Sequence, residues 1–347
     1  MKEDQIQYIF NQFQHKGEFL SHQELLSGHI NDTFFIETNQ DSNYVLQRIN
    51  HLVFKNVPKL IQNKVLISKH LQSKSDRTIL EFVCIKNSDQ YYIIQDNNFW
   101  NLMRFIENSK VYTVVPNDTV AFEAGKLLGN FLNDTADFDA HLLYDVIPDF
   151  HNMKFRFWQF EEAFKNAKRE RLELAKKWIE NIRTLEKEML IIQNLKDENK
   201  IPIRVTHNDT KVSNCLFTAN DKGLCMIDLD TVMKGIIHYD FGDALRSICN
   251  TAKEDETDLN EIQFQNEFYH AYKTGFLEKY SESITSLEME LLPLSVKTMI
   301  FIMGLRFLTD FLNNDLYYKT EYEHHNLDRA ANQFTLIQRL ETQFHQL

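Results

Sequence analysis

The run Val205-Thr206-His207-Asn208-Asp209-Thr210-Lys211-Val212-Ser213-Asn214 constrains this chain more than any other stretch. Two short apolar segments follow it, Cys215-Leu216-Phe217 and Leu224-Cys225-Met226-Ile227, separated by the turn residues Asn220-Asp221-Lys222-Gly223. Apolar segments on either side of such a turn predict a β-hairpin. The hairpin sets Asn214, at its entrance, near Asp228, at its exit. Asp209 lies on the polar loop that leads into it, five residues before Asn214. The bland reading is a solvated acidic turn region, since Asp and Asn are common in turns. Against that, Asp228 and Asp230 close an apolar run, where a plain strand gains nothing from carboxylates that lose water.

Transfer of a phosphoryl group from ATP needs a carboxylate to orient and deprotonate the attacking hydroxyl. It also needs oxygen ligands for the magnesium that neutralises the phosphates. An Asp, an Asn five residues on and an Asp past a hairpin supply both. The overall charge fits a local, metal-assisted phosphate site. The chain has 38 Lys and Arg against 50 Asp and Glu, a net charge of -12. Proteins that grip a nucleic-acid backbone usually show the opposite sign or a dense basic face, so no nucleic-acid partner is expected. A net negative chain can bind ATP when a divalent cation carries much of the neutralisation.

Upstream, short strand-like runs surround one helix. Phe34 to Thr38 and Tyr44 to Ile49 flank a polar turn and predict a hairpin; Thr78 to Ile85 and Tyr91 to Gln95 predict a second one around Asn87-Ser88-Asp89. Phe99 to Ile106 is a further strand. Between the hairpins, Val57, Leu60, Ile61, Val65 and Leu66 recur at helical spacing within Asn56 to Leu71. Near Glu107 the pattern changes, and helical periodicity dominates from Asp118, through residues 156 to 196, and again over Leu259 to Tyr280 and Leu291 to Leu312. Residues 1–106 are therefore expected to form an N-terminal mixed lobe, and residues 107–347 a larger C-terminal helical lobe.

The N-terminal residues MKEDQIQYIF lack the apolar stretch of a secretory signal. Lys297, Arg306 and Asp310 interrupt the most apolar segment, which predicts a buried helix rather than a membrane span. Cys84, Cys215, Cys225 and Cys249 form no CxxC pair and read as free core thiols of a reducing compartment. A cytoplasmic protein with no membrane partner, monomeric or a small homo-oligomer, is expected.

The runs HNDTKVSN, MIDLDTVMKG and HYDFGDALR resemble the aminoglycoside and choline phosphotransferase superfamily. Within it, the resemblance is closest to the bacterial N-acetylhexosamine 1-kinase branch. That branch is also resembled by SGHINDTFFI from Ser27, YVLQRINHLVFKNVPKL from Tyr44, FEAGKLLGNF from Phe122, IPDFHN from Ile147 and GLRFLTDFL from Gly304. The resemblance covers nearly the whole chain. It implies an α+β, protein-kinase-like bilobal fold, with a small mixed β-sheet lobe plus a larger mainly helical lobe. It also implies ATP and Mg2+ as cofactors, and a small-molecule sugar, N-acetylglucosamine or N-acetylgalactosamine, as the acceptor. Other acceptors on the same fold, such as another sugar, an amino alcohol or an aminoglycoside, are the alternatives, together with a catalytically weak nucleotide-binding protein.

Carried onto this chain, the resemblance makes Asp209 the catalytic base and orienter of the acceptor hydroxyl. Asn214 and Asp228 become the metal ligands that hold magnesium against the phosphates. His207 becomes a scaffold residue, and Asp240 and Asp243 structural carboxylates serving loop amides or Arg246. The loop from Gly28 to Thr33 takes the place of the phosphate-covering loop, with His29, Asn31 and Thr33 as nucleotide-side candidates; it has one glycine and no GxGxxG. Glu107 lies where the adenine hinge is placed. Asp149, His151, Arg156, Asp230, Tyr239 and Arg306 are the acceptor-side candidates. The position matching the strand lysine of protein kinases is Gln47, which carries no charge. Strand alternation puts Arg48 on the opposite face, so Arg48 does not simply replace it.

Overall fold

The structure is a computed structural model that describes residues 2–25, 30–40, 42–74 and 76–344. His29, a nucleotide-side candidate, lies outside the described residues. The small lobe comprises helix α1 (Glu3–Phe10), strands β1 (Phe19–Glu24), β2 (Asp32–Thr38) and β3 (Tyr44–Ile49), helix α2 (Val57–Lys74), and strands β4 (Phe82–Val83), β5 (Ile93–Gln95) and β6 (Asn98–Arg104). The strands form one antiparallel sheet in the order β1-β2-β3-β6-β4, with β5 also on β6. Helix α1 and strand β1 are additions to the sequence expectation. The helix is only eight residues long, and β1 lacks the alternation of a half-buried strand.

The expected hairpin between 78–85 and 91–95 is corrected. A single backbone bond, Ile85 N–H to the Gln90 carbonyl at 2.8 Å, closes the turn between these segments. Their strands pair with β6 instead: β5 along Asn98–Trp100 and β4 along Leu102–Met103. A seven-residue strand has room for both short segments on one edge, and β3 takes the other.

The two faces of this sheet are buried differently. Ile6, Ile9 and Phe10 of α1 pack with Leu46, Trp100 and Leu102. Leu60, Ile61 and Val65 of α2 join Phe82 and Met103 in the core that continues into the large lobe. Alternation along β3 therefore aims Leu46 at α1 and Gln47 at α2.

Strand β7 (Lys110–Val111) opens the large lobe, followed by α3 (Asp118–Asp134), α4 (Met153–Asn166), α5 (Arg169–Met189) and α6 (Ile191–Asp197). The stripe over residues 156–196 thus forms three helices. Its first break is at Ala167 and Lys168, whose ψ of 147° and 142° are extended. The strand island follows: β8 (Arg204–Thr206), β9 (Cys215–Phe217), β10 (Gly223–Met226) and β11 (Met233–Gly235). Strands β9 and β10 are the predicted hairpin, β7 extends it, and β11 pairs with β8.

The last helices are α7 (Ile237–Ile248), α8 (Asn266–Tyr280), α9 (Ser286–Leu312) and α10 (His325–Phe344). Helix α8 is shorter than its apolar pattern, because Phe264 bridges to Asn250 instead of entering the helix. A capping box starts α9: Thr285 accepts from Glu288 N–H at 3.2 Å, and Glu288 accepts from Thr285 N–H at 2.8 Å. By length and composition α9 is apolar enough to cross a membrane, but 78% of its apolar window is buried in the fold. Its neighbours α7 and α10 make it a core helix.

Helix α3 carries the hairpin. Its buried Glu123 accepts from Gly223 N–H and Lys222 Nζ, both at 3.0 Å, and so holds the hairpin tip. Helix α3 in turn lies against α8 at backbone contact. A Cβ on Gly125 would sit 2.0 Å from the Tyr272 carbonyl oxygen, and one on Gly275 2.0 Å from that of Phe122. Neither oxygen can retreat without moving a helix. Gly125→Ala is expected to destabilise the protein by about 3 kcal/mol, read as a lower urea midpoint at unchanged m-value.

Candidate active site

The polar loop after β8 is pinned from below. Asp240, fully buried near the start of α7, accepts from His207 N–H at 2.8 Å and Asn208 N–H at 2.7 Å. Asp243, one turn later, accepts from Thr210 N–H and Arg246 Nε, both at 3.1 Å. Both carboxylates thus serve loop amides, and Asp243 also Arg246, as the resemblance implied. Burial raises the affinity of both for protons, while loop amides oppose it at Asp240 and the Arg246 guanidinium opposes it at Asp243. The His207 ring lies 2.9 Å from the Ile227 carbonyl through Nε2. Only an Nε2–H tautomer can donate there, which leaves Nδ1 to accept from Asp209 N–H at 3.4 Å. Burial lowers this histidine's pKa, so a neutral ring ties the loop to the end of β10.

The backbone turns at left-handed residues on both sides of the site: Asn208 has φ of 64° and Asp228 of 62°. Non-glycine residues are uncommon there, and such conformations cluster at sites whose surroundings enforce them. The turn at Asn208 presents Asp209. The turn at Asp228 ends β10 and starts the short 3-10 helix Leu229–Thr231.

Asp209 is surrounded by donors. Asn214 Nδ2 is 2.9 Å from its Oδ2 and 2.9 Å from its carbonyl, and Lys211 Nζ is 3.0 Å from the same carboxylate oxygen. Burial works against its charge, yet Lys211 and these bonds hold its pKa below the ordinary carboxylate value. Asp209 is therefore ionised at neutral pH, able to accept hydrogen bonds and a weak base. Lys211 sits within the motif, but the sequence reading gave it no role.

Asp228 has the opposite environment. Burial first, then Asp230 and Asp209, push its pKa up to about 7. Its carboxylate accepts no hydrogen bond and joins no ion pair among the described residues. Asn214 must turn its NH2 toward Asp209, because a carboxylate only accepts. This leaves the Asn214 carboxamide oxygen without a protein donor among the described residues. Ile227 N–H donates to the Asn214 carbonyl at 2.9 Å and keeps the two positions adjacent. A carboxylate destabilised by its neighbours and an uncommitted amide oxygen are hard ligands that suit magnesium. Among the described residues no cluster of three His, Cys, Asp or Glu side chains is poised to hold a metal by itself. Magnesium would be held here by two side chains and complete its shell with phosphate and water.

Of the described nucleotide-side candidates, Asn31 and Gln47 meet at the lobe junction through Asp230 and Lys64. Thr33 lies opposite Gln47 in the β2–β3 register. Asn31 is committed at both ends, donating to Asp230 and accepting from Asn50 N–H at 2.9 Å. Gln47 is buried, and its Oε1 accepts from Lys64 Nζ at 3.0 Å. Arg48 instead pairs with Asp32 on the other side of the strand. Glu107 is exposed and accepts from Asn43 at 3.0 Å. Asp230 is buried, with one oxygen on Lys64 and the other on Asn31. It therefore joins the two lobes and stands apart from the other acceptor-side candidates.

Asp149, His151 and Tyr239 line a cavity of about 200 Å³ beside Asn208, together with Asp145, Lys196 and Lys234, and Arg156 and Arg306 contact Phe150 of its wall. His151 is buried with Nε2 3.3 Å from the Asn208 carbonyl, and its Nδ1 has no hydrogen-bond partner among the described residues. Burial, then Arg306, lowers its pKa to about 3. Arg156 donates to the Phe150 carbonyl at 2.6 and 3.2 Å, and burial and Arg306 lower its pKa to about 10. Arg306 lies over the rings of Phe150 and Tyr318, 5.3 and 5.6 Å from their centroids. Among the described residues neither arginine has a carboxylate partner. A larger open recess beside Gln14, Cys84 and Asn87 contains none of these groups.

Comparison with known proteins agrees with this geometry. The model of the Phosphotransferase enzyme family matches residues 21–280. An aminoglycoside phosphotransferase from Alicyclobacillus acidocaldarius is 16% identical over 98% of this chain and 96% of its own, with a TM-score of 0.63. A microcompartment-associated aminopropanol kinase is 14% identical over 99% and 98%, also with a TM-score of 0.63. A choline kinase from Cryptosporidium parvum is 15% identical over 94% and 90%, with a TM-score of 0.58. At these identities the structures establish the shared bilobal fold, a small sheet lobe on a larger helical one. With three quarters of its length matched by the family model, the chain belongs to the phosphotransferase enzyme family.

Proposed function

We propose that this protein transfers the γ-phosphoryl group of ATP, as its magnesium complex, to the anomeric hydroxyl of a free N-acetylhexosamine, giving the sugar 1-phosphate. The observation that carries the chemistry is the pairing of an ionised Asp209, held by Lys211 and Asn214, with a cation-hungry Asp228 across the hairpin. Asp209 accepts a hydrogen bond from the acceptor hydroxyl and aligns its oxygen for in-line attack. An anomeric hydroxyl is more acidic than an ordinary alcohol, so positioning matters more than base strength. Asn214 and Asp228 hold the magnesium, which supplies neutralisation of the phosphate charge. Residues 1–106 serve as the nucleotide lobe, with Asn31, Thr33, Gln47 and the hinge at Glu107 on its side of the cleft, and His29, outside the described residues, as a further nucleotide-side candidate. Residues 107–347 supply catalysis and the acceptor site, with Asp149, His151, Arg156, Tyr239 and Arg306 around the sugar and Asp230 at the junction.

The electrostatics beside the cavity bear on the acceptor. Arg306, Arg156 and Lys196 all act on His151. A neutral sugar offers oxygen acceptors to the guanidiniums, while the carboxylates of Asp145 and Asp149, which line the cavity together with Lys196 and Lys234, offer a cationic acceptor its counter-charge. The names of structural neighbours, an aminopropanol kinase and a choline kinase among them, keep other small hydroxyl acceptors as the second reading.

The test is ADP release with magnesium and ATP across neutral sugars, aminoglycosides and choline, with phosphorus NMR of the product. A sugar 1-phosphate from an N-acetylhexosamine is expected. Turnover restricted to a cationic acceptor removes the sugar assignment, and binding without any turnover leaves the catalytically weak nucleotide binder. Arg306→Met is expected to raise the sugar KM about tenfold or more, the worth of a charge-assisted hydrogen bond, with the ATP KM unchanged.

A further inference from the structure

Helix α2 buries a charge where its apolar face predicts none. Leu60, Ile61, Val65 and Leu71 pack into the core, and Lys64 lies among them with 1% exposure. Its ammonium donates to Gln47 Oε1 at 3.0 Å, makes an ion pair with Asp230, and lies 5.3 Å from the centroid of the Phe82 ring. An apolar interior tolerates such a group only with a specific partner. Gln47, Lys64 and Asp230 come from three separate elements, two in the small lobe and one directly after Asp228.

In protein kinases a lysine on the third strand pairs with a glutamate on the following helix and reaches the nucleotide phosphates. Here the third strand carries the neutral Gln47, and the following helix carries the cation facing it. The two side chains meet as that pair would, with the charge moved from strand to helix. The ammonium occupies the same junction, adjacent to the loop that bears Asp228, whose ionisation it favours. Two of its three N–H groups are committed to Gln47 and Asp230, and the third has no hydrogen-bond partner among the described residues.

We infer that Lys64 is the phosphate-side cation of the nucleotide site, supplied from helix α2, with Gln47 as the neutral group that orients it and Asp230 as its resting counter-charge. This inference rests on the proposed reading that the lobe junction binds a nucleotide. It accounts for a strand without a lysine in a chain whose Asp209, Asn214 and Asp228 are all in place. It also makes the Asp230–Lys64 contact a link through which phosphate binding bears on the position of Asp228.

Lys64→Met alone leaves Asp230 buried without its partner and is expected to fold poorly. Lys64→Met with Asp230→Asn removes both charges and keeps the volume, so it is the variant to compare with wild type. The readout is the affinity for magnesium·ADP divided by the affinity for adenosine, by calorimetry, which needs no acceptor and no turnover. A lost phosphate contact lowers that ratio about 10- to 100-fold, as charge-assisted hydrogen bonds are worth. Adenosine affinity stays the same. An unchanged ratio in the folded variant overturns the inference and reduces the contact to a structural ion pair. A third variant, Lys64→Gln with Gln47→Lys, returns the charge to the strand and is expected to recover most of the ratio. Failure of wild type to bind magnesium·ADP at all would overturn the nucleotide reading itself, a result separate from any ratio.

Discussion

Asp209→Asn is expected to lower kcat by about 10³-fold, within the range for loss of a positioned acid–base group, while the affinity for nucleotide changes little. The substitution preserves shape and removes one charge. Asn214 and Lys211 both donate to the Asp209 carboxylate. An amide in its place offers one acceptor oxygen to two donors and the hydroxyl, so the hydroxyl loses its acceptor and its aim. Because the carboxylate is already ionised well below neutral pH, the wild-type rate should not rise with an Asp209 titration between pH 6 and 8. The measurement is steady-state kinetics alongside nucleotide titration. Turnover within tenfold of wild type would take Asp209 out of the catalytic role.

Asp228→Ala is expected to abolish magnesium-dependent nucleotide binding, and the pH dependence of wild type gives an independent check. The Asp228 carboxyl is pushed up to about 7 in the folded protein, by burial first and then by Asp230 and Asp209. The folded state therefore holds this proton more tightly than the unfolded chain does. The contribution to stability is fully present below the unfolded carboxyl value and is lost as pH rises toward the folded one. Metal-free wild type is expected to lose stability relative to Asp228→Asn between about pH 4 and pH 7. Magnesium-nucleotide binding selects the ionised form and releases a proton, so affinity should climb up to about tenfold per pH unit below 7 and flatten above it. Thermal unfolding of both proteins across that range, and titrations in buffers of different ionisation enthalpy, read the two effects. A pH-independent difference between the proteins, with no proton released, would sink the assignment.

The placement of the candidate site in the large lobe was legible because it is local. Asp209, Asn214 and Asp228 lie within one loop and one hairpin, and the turn residues between Phe217 and Leu224 dictate how that hairpin closes. The helical stripes of α3 and α9 were legible for the same reason, since the periodicity of a face needs no distant partner. The second small-lobe hairpin was misread because β4 and β5 are too short to choose a partner by pattern; the free edge of β6 chose for them. Helix α8 was read too long because an apolar residue such as Phe264 satisfies a helix face and a bridge equally well.

The electrostatic partners were not legible. Lys64 meets Asp230 across 166 positions of sequence. Its only local sign was a charged residue on the apolar face of a helix, which nothing nearby explained. Arg156 and Arg306 stand out as charges near apolar residues, but only the packing of α4 against α9 shows that neither forms an ion pair among the described residues. Spacing fixes which groups share a turn, a strand face or a helix face, because those distances are set by covalent geometry. The sequence by itself therefore determined the three motif residues, the hairpin that unites them and the two-lobe plan. Tertiary structure decided which charges are neutralised, which stand alone and which strand edge is occupied, because those depend on burial and on contacts between segments that covalent geometry leaves free.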